Sequence, residues 1–319
     1  MDLQLLLENL TNPALLFFFL GIIAVQLKSD LEIPQNSSKF ISLYLLFSIG
    51  FKGGQELSHS DLDLEILWAL LFGIFLACTV PLYSFFILRK RLGISNAGAI
   101  AASYGSVSAV TFVTSVSFLD AHNIEFSGHM VAVMALMEAP SIIVGVLLIS
   151  IFGKNGDSQL SCNSAIKHAL TNGSVLLIMG SLVIGFLASD AQAQGIEPFT
   201  TDIFKGFLAV FLLDMGITSG RKLSSFLDNG WFAMAFAIVV PLINGTLVAW
   251  GSHFLTDSVG NQFLFAILAA SASYIAVPAA MKLAAPKANP SLYIPMALAI
   301  TFPLNITLGI PLYMSIINS

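Results

Sequence analysis

The chain has 319 residues, of which 56% are hydrophobic and 10% charged, with a mean hydropathy of +0.87. Soluble domains average about 25% charged residues, so this balance excludes a soluble globular protein. The apolar runs lack strict alternation, which argues against a membrane β-barrel, and a net charge of −5 spread over short loops points to no nucleic-acid partner.

In chain order, residues Met1 to Asn12 carry Asp2 and Glu8 but no Lys or Arg. They lack the basic flank of a cleavable leader, and the first apolar run is expected to be retained. Ten apolar stretches then predict membrane helices near 13–28, 37–53, 64–88, 95–120, 127–152, 170–188, 200–219, 230–254, 261–286 and 290–316. Each is near the roughly 20 residues needed to cross the hydrocarbon core. Helix-start signals stand at Asn12-Pro13, Ser95-Asn96, Asn172-Gly173 and Asn289-Pro290-Ser291. Cys78 falls inside a span and Cys162 in a loop, which forms neither a metal framework nor a disulfide pattern.

Lys and Arg are retained on the cytoplasmic side of short loops. With the N-terminus outside, the cytoplasmic loops carry Lys28, Lys39, Arg89, Lys90, Arg91, Lys154, Lys167, Arg221, Lys222, Lys282 and Lys287, eleven of the thirteen basic residues. Only Lys52 and Lys205 fall near the opposite face, so both termini are expected outside.

The two halves repeat. Leu27-Lys28-Ser29-Asp30 matches Leu187-Ala188-Ser189-Asp190, and Val80-Pro81-Leu82 matches Val240-Pro241-Leu242. The Gly-rich end of the second span, Ile49 to Leu57, matches Met215 to Leu223, and Met134-Ala135-Leu136 matches Met296-Ala297-Leu298. An odd number of spans per half inverts the second copy. The expected organisation is a first repeat over 1–152, a cytoplasmic linker over 153–169 and a second repeat over 170–319, an all-α integral membrane protein of five plus five helices.

Two polar interruptions sit in matching spans: Ala101-Ala102-Ser103-Tyr104-Gly105-Ser106-Val107-Ser108-Ala109-Val110 and Ala269-Ala270-Ser271-Ala272-Ser273-Tyr274-Ile275-Ala276-Val277-Pro278. Broken helices in corresponding positions of inverted halves are a pointer to a transporter's binding site. The first helix should stop near Ser103 to Gly105 and restart around Val107; the second should stop near Ser271 to Tyr274 and restart around Val277-Pro278. The restarting N-termini, with unpaired N–H groups and about half a positive charge, suit a small anion. The ending carbonyls and the hydroxyls of Ser103, Ser106, Ser108, Ser271 and Ser273 suit Na⁺, a hard cation that takes oxygen ligands. The competing reading is that small Ser and Ala residues simply let helices pack closely.

Glu138, in Met137-Glu138-Ala139-Pro140, is an intramembrane carboxylate with no basic neighbour in sequence. Placing it there costs several kcal/mol, of order 3 on insertion scales, and such residues mark ion pathways. The alternative is a protonated Glu bonded to a neighbouring helix. The repeat sets Thr301 opposite Glu138 as a further oxygen ligand. Asp214 lies toward the cytoplasmic end of the seventh span, where it either caps a broken helix or serves function, and Asn244 and Asn305 are expected to bond between helices. No HExxH and no Walker Lys-Ser/Thr pattern is present, and no ring of charges suggests a channel, so neither an enzyme nor a pore is favoured.

These residues resemble a known family. Ala269 to Pro278 with its continuation Ala288-Asn289-Pro290-Ser291-Leu292-Tyr293-Ile294, together with Gly105-Ser106-Val107-Ser108 and Met137-Glu138-Ala139-Pro140, is similar to the sodium-dependent bicarbonate permeases of cyanobacteria and other bacteria. The resemblance runs over essentially the whole chain. It implies a ten-helix transporter with core and gate domains, a homotrimer in the bacterial inner membrane, an elevator-like step, and Na⁺ as coupling ion for bicarbonate. Combined with the residue reading, it assigns the anion to Gly105, Ser106, Val107, Ser108, Ser273, Tyr274, Ile275 and Ala276, and Na⁺ to Ser103, Ser271, Glu138 and Thr301. The cyanobacterial members carry Asp before their Pro where this chain has Glu138, Asp at Tyr274, Ser at Ala276 and Gly at Ala109 and Val277. They also have a longer loop between the halves. The Asp-to-Tyr difference alters either Na⁺ coordination or anion selectivity, and the short loop leaves open the binding of the family's cytoplasmic PII-like regulator. Two other functions fit the residues: a Na⁺- or H⁺-coupled carrier of another small carboxylate, and a membrane receptor that binds the anion without transporting it.

Overall fold

The computed structural model describes residues 3–59, 64–153, 171, 173–226 and 230–319. The expected linker, apart from Gly153, lies outside the described residues, as do Cys162, Lys154, Lys167 and the Asn172 helix-start signal. The described residues form helices and connecting turns with no strand.

A short helix α1 (Leu3–Leu10) leads into α2 (Pro13–Gln26), which begins as the sequence predicts: Asn12 caps it by accepting from the Ala14 N–H at 3.0 Å, and Pro13 takes the first helical position. α3 (Gln35–His59), α4 (Leu64–Leu92) and α7 (His129–Phe152) are continuous, the last two running through Pro81 and Pro140. Between them lie two half-helices, α5 (Ile94–Gly105) and α6 (Ala109–Ala121). The second half follows with α8 (Gly173–Leu187), the short α9 (Asp190–Glu197), α10 (Phe204–Phe226) and α11 (Trp231–Gly251). Another pair of half-helices, α12 (Val259–Ala270) and α13 (Ala276–Ala284), precedes α14 (Pro290–Ile317), whose Met296–Thr301 and Asn305–Gly309 stretches widen into π-helical turns.

Helix thus occupies each of the predicted stretches, with two departures in detail. α5 starts at Ile94, one residue ahead of the Ser95-Asn96 signal, because Gly93 adopts a left-handed φ of 80° and caps it. The Asn96 amide instead donates back to Leu92 O at 3.0 Å and accepts from the Asn289 N–H at 2.8 Å. The seventh stretch is not broken at Asp214, since α10 runs unbroken through it; the carboxylate accepts from Ser38 Oγ of α3 rather than capping a helix.

Among the described residues, six segments are long and apolar enough to cross a membrane: Leu64–Leu92, Ile94–Ala121, His129–Phe152, Asp190–Lys222, Trp231–Phe254 and Pro290–Ile317. Pro13–Gln26, Gly173–Leu187 and Val259–Ala270 are shorter apolar helices. The apolar window of Ile94–Ala121 is 89% buried, whereas those of Leu64–Leu92 and Trp231–Phe254 are 39% buried. The broken element therefore sits at the centre while α4 and α11 present Trp68, Phe75, Leu247 and Trp250 outward, the arrangement expected of a protein solvated by lipid.

The helices pack in two groups. α2 lies along α10 and α3 along α8, with α3 also meeting α10. α4, α5 and α7 pack together, as do α11, α12 and α14, and each upstream half-helix touches the opposite downstream one: α5 on α13, and α12 on α6. Glycines set the close approaches in the first group. A Cβ on Gly21 would lie 2.7 Å from Ile217 N and one on Gly216 would collide with Phe18 O. On the other pair, a Cβ on Gly50 would lie 2.7 Å from Ile178 O.

These contacts carry a prediction. Gly216→Val forces α2 from α10 and should destabilise the protein by about 1–3 kcal/mol, seen as a lowered thermal midpoint in detergent. Gly180→Ala, where no atom outside the local helix lies within 4 Å, should leave the midpoint unchanged; equal effects of the two would contradict the packing assignment.

Candidate functional site

A helix that stops inside a membrane leaves N–H and C=O groups that water cannot reach, each costing several kcal/mol unless satisfied internally. The two breaks satisfy each other. The Ser273 N–H donates to Ser103 O at 2.8 Å, and the Ser103 hydroxyl donates back to Ser273 O. The Ser108 N–H donates to Ser271 Oγ at 3.2 Å, while Ser271 Oγ donates to Leu268 O at 3.1 Å. Neighbouring helices hold the stubs: Ser141 Oγ of α7 donates to Ala102 O at 2.7 Å and Asn305 Nδ2 of α14 donates to Ala270 O at 2.7 Å.

Gly105 ends α5 where Pro81 and Ser141 leave no room for a Cβ, the Ser141 Oγ standing 2.6 Å from where it would lie. The chain then extends through Ser106, with ψ of 179°, to Ser108, which caps α6 by accepting from the Thr111 N–H at 3.1 Å. In the second break the chain extends at Ser271, with ψ of 169°, and turns into α13 at Ile275, which makes no side-chain cap. The Val277 N–H approaches Ser273 Oγ at 3.4 Å, and Pro278 stands in the first turn with no N–H to satisfy. Each downstream half-helix therefore starts with one N–H held by a serine of its own break.

Beside the crossing lies a small cavity of about 20 Å³. Val107, Ser108, Ala109 and Val110 line one side and Ser273, Tyr274, Ile275 and Ala276 the other, with Glu138 reaching in from α7. Six of the eight residues assigned to the anion from sequence therefore border one space. Gly105 and Ser106 do not line it; Gly105 is pressed against α4, and Ser106 is buried beside the break. Ser42 of α3 and Ser174 of α8 complete the wall.

The four oxygens assigned to Na⁺ are distributed differently. Glu138 is 7% exposed and faces the cavity, and its Oε2 has no hydrogen-bond partner among the described residues. Ser103 and Ser271 lie in the crossing with their hydroxyls engaged as above. Thr301 stands on the far side of Tyr104, whose phenol oxygen is 2.8 Å from its hydroxyl, and it donates to Ala237 O of α11 at 2.8 Å. Asn244 bonds between helices as expected, accepting from Tyr83 OH at 2.6 Å.

Burying a polar atom without a partner costs about 1–3 kcal/mol. Around these breaks Ser106 Oγ, Thr111 Oγ1, Tyr274 OH and Glu138 Oε2 are all buried without one among the described residues. Tyr274 OH lies near the Ser108 side chain without reaching hydrogen-bond geometry. Donor hydroxyls, a helix N-terminus and a carboxylate oxygen around one small space suit an anion and a cation held together, each offsetting the other's charge.

A second, larger space of about 410 Å³ adjoins the first, lined by Glu32, Lys39, Asp214 and Arg221 among others. Arg221 lies 3.6 Å from Glu32. Ser42, Ser174, Tyr274 and Ile275 border both spaces. Ser42 and Ser174 carry no signal in sequence, being isolated hydroxyls near the starts of α3 and α8; only the packing of those helices against the break brings them in.

No curated protein matches the chain. The family comparison is decisive: residues 13–318 match the Na⁺-dependent bicarbonate transporter superfamily, and this multi-pass membrane protein belongs to that superfamily.

Proposed function

We propose that the chain is a secondary active transporter that uses the inward Na⁺ gradient to import bicarbonate. The observation that carries this reading is the cavity where two interrupted helices cross, bordered by an α13 N-terminus, by Ser and Tyr hydroxyls and by the buried carboxylate of Glu138. Family membership supports both ions. In this reading bicarbonate lies against the free N–H groups at the starts of α6 and α13, with Ser108, Ser273 and Tyr274 beside it. Glu138 gives Na⁺ its charged ligand. Ser103, Ser271 and Thr301 hold their hydroxyl protons on protein carbonyls, so each can turn a lone pair to the cation.

The same proposal takes residues 1–152 and 170–319 as inverted repeats joined by a linker over 153–169. The pairing of α2 with α10 and of α3 with α8 supports it, because exchanging the halves converts one pair into the other. α4 to α7 with α11 to α14 would form the core that carries both breaks, and α2, α3, α8 and α10 the gate. An elevator step moves the first past the second. The distribution of Lys and Arg supports both termini outside an inner membrane, and the homotrimer follows from the family resemblance.

Bicarbonate uptake into proteoliposomes should rise with an inward Na⁺ gradient and fall to background in choline. Uptake that ignores Na⁺ and follows a pH gradient would move the assignment to a proton-coupled carboxylate carrier, and binding without uptake would make the protein a receptor. Removing the charged ligand in Glu138→Gln should raise the Na⁺ concentration for half-maximal uptake by on the order of tenfold, the scale of one lost charge-assisted bond. An unchanged Na⁺ titration would take Glu138 out of the site.

A further inference from the structure

Tyr274 borders both the small cavity and the larger space lined by Lys39, Asp214 and Arg221. The residue is 8% exposed, its hydroxyl is buried without a partner among the described residues, and its ring packs edge-on to Phe302 at 5.9 Å between centroids. Ile275, Ser42 and Ser174 share that double position. The neck between the two spaces is therefore one aromatic and one aliphatic side chain from the second break, set against two small hydroxyl residues on α3 and α8.

The chemistry of this neck is uneven. Serines are short and cannot fill an opening, so the Tyr274 ring supplies most of its bulk. The phenol also carries the neck's one long-reaching donor, and its tip lies near Ser108 at the start of α6. A phenol offers an anion a hydrogen bond without adding charge. Phe302 packs against the ring and restricts its movement.

We infer that Tyr274 is a specificity-determining residue that closes the anion site on its vestibule side: its hydroxyl donates to the bound anion, and its ring limits the site to oxyanions as small as bicarbonate. This rests on reading the cavity as the anion site. Two consequences separate. Removing the hydroxyl weakens the anion without opening the neck, and removing the ring opens it.

The test uses the full chain with Cys78 and Cys162 replaced by serine and Ala109→Cys, a cavity-lining position, as reporter. Tyr274→Phe should raise the KM for bicarbonate about tenfold with kcat within about twofold, one hydrogen bond to a charged ligand, and should still exclude propionate. Tyr274→Ala should let propionate compete with bicarbonate and should speed labelling at position 109 by a membrane-impermeant thiol reagent by about tenfold or more, set against the ring's bulk. Wild-type KM in both variants with unchanged labelling would overturn the inference. If the wild-type chain took up no bicarbonate, the transport reading would fall on its own; labelling would then decide the neck, with acceleration in Tyr274→Ala keeping it and no change removing it.

Discussion

The structure depends on one reciprocal contact. The Ser273 N–H donates to Ser103 O, and the Ser103 hydroxyl donates to Ser273 O. Neither interrupted helix could remain open in hydrocarbon alone, because its exposed backbone groups would lack partners at several kcal/mol each. Together they supply those partners, so the two breaks stand or fall as a unit. Ser141 and Asn305, bonded to Ala102 O and Ala270 O, carry that unit onto α7 and α14.

Both breaks border the cavity. Ser108 caps α6 and Ser273 Oγ accepts from the Val277 N–H in the first turn of α13, while Ile275 just ahead of α13 is 45% exposed. Glu138, Tyr274, Ser106 and Thr111 add buried oxygens without partners among the described residues. The proposed ion site rests on this gathering of unmatched polar atoms around one space. The α2–α10 and α3–α8 pairs pack closely along their lengths, while α3, α8 and α10 meet the group that contains the breaks through lighter contacts with α6, α7 and α14.

Much of this was legible in the residues. Asn12-Pro13 and Asn289-Pro290 mark helix starts that the structure keeps, and the Ser-rich interruptions lie where α5 and α12 end. Local chemistry decides such features, so sequence displays them. Partnership across the fold is another matter. Thr301 occupies the place opposite Glu138 in the repeat, and its bonds to Tyr104 and Ala237 O come from other helices and leave no mark in the sequence. Gly105, grouped with the anion residues by its neighbours, packs against Pro81, a contact the sequence does not display. Ser42 and Ser174 join the cavity only through the way α3 and α8 lie against it. Residue type and spacing carry no information about which face of a helix meets which neighbour when nearly every face is apolar.

The central claim is that the crossing of the two breaks is the place where both ions bind. A cryo-electron-microscopy comparison of the protein in lipid nanodiscs, with Na⁺ and bicarbonate against choline and chloride, tests it most directly. The account predicts added density between Val107–Ser108 and Ser273–Ala276, with a second feature at Glu138, and neither in choline chloride. Density that appears elsewhere, or a cavity unchanged by saturating Na⁺ and bicarbonate, would contradict it.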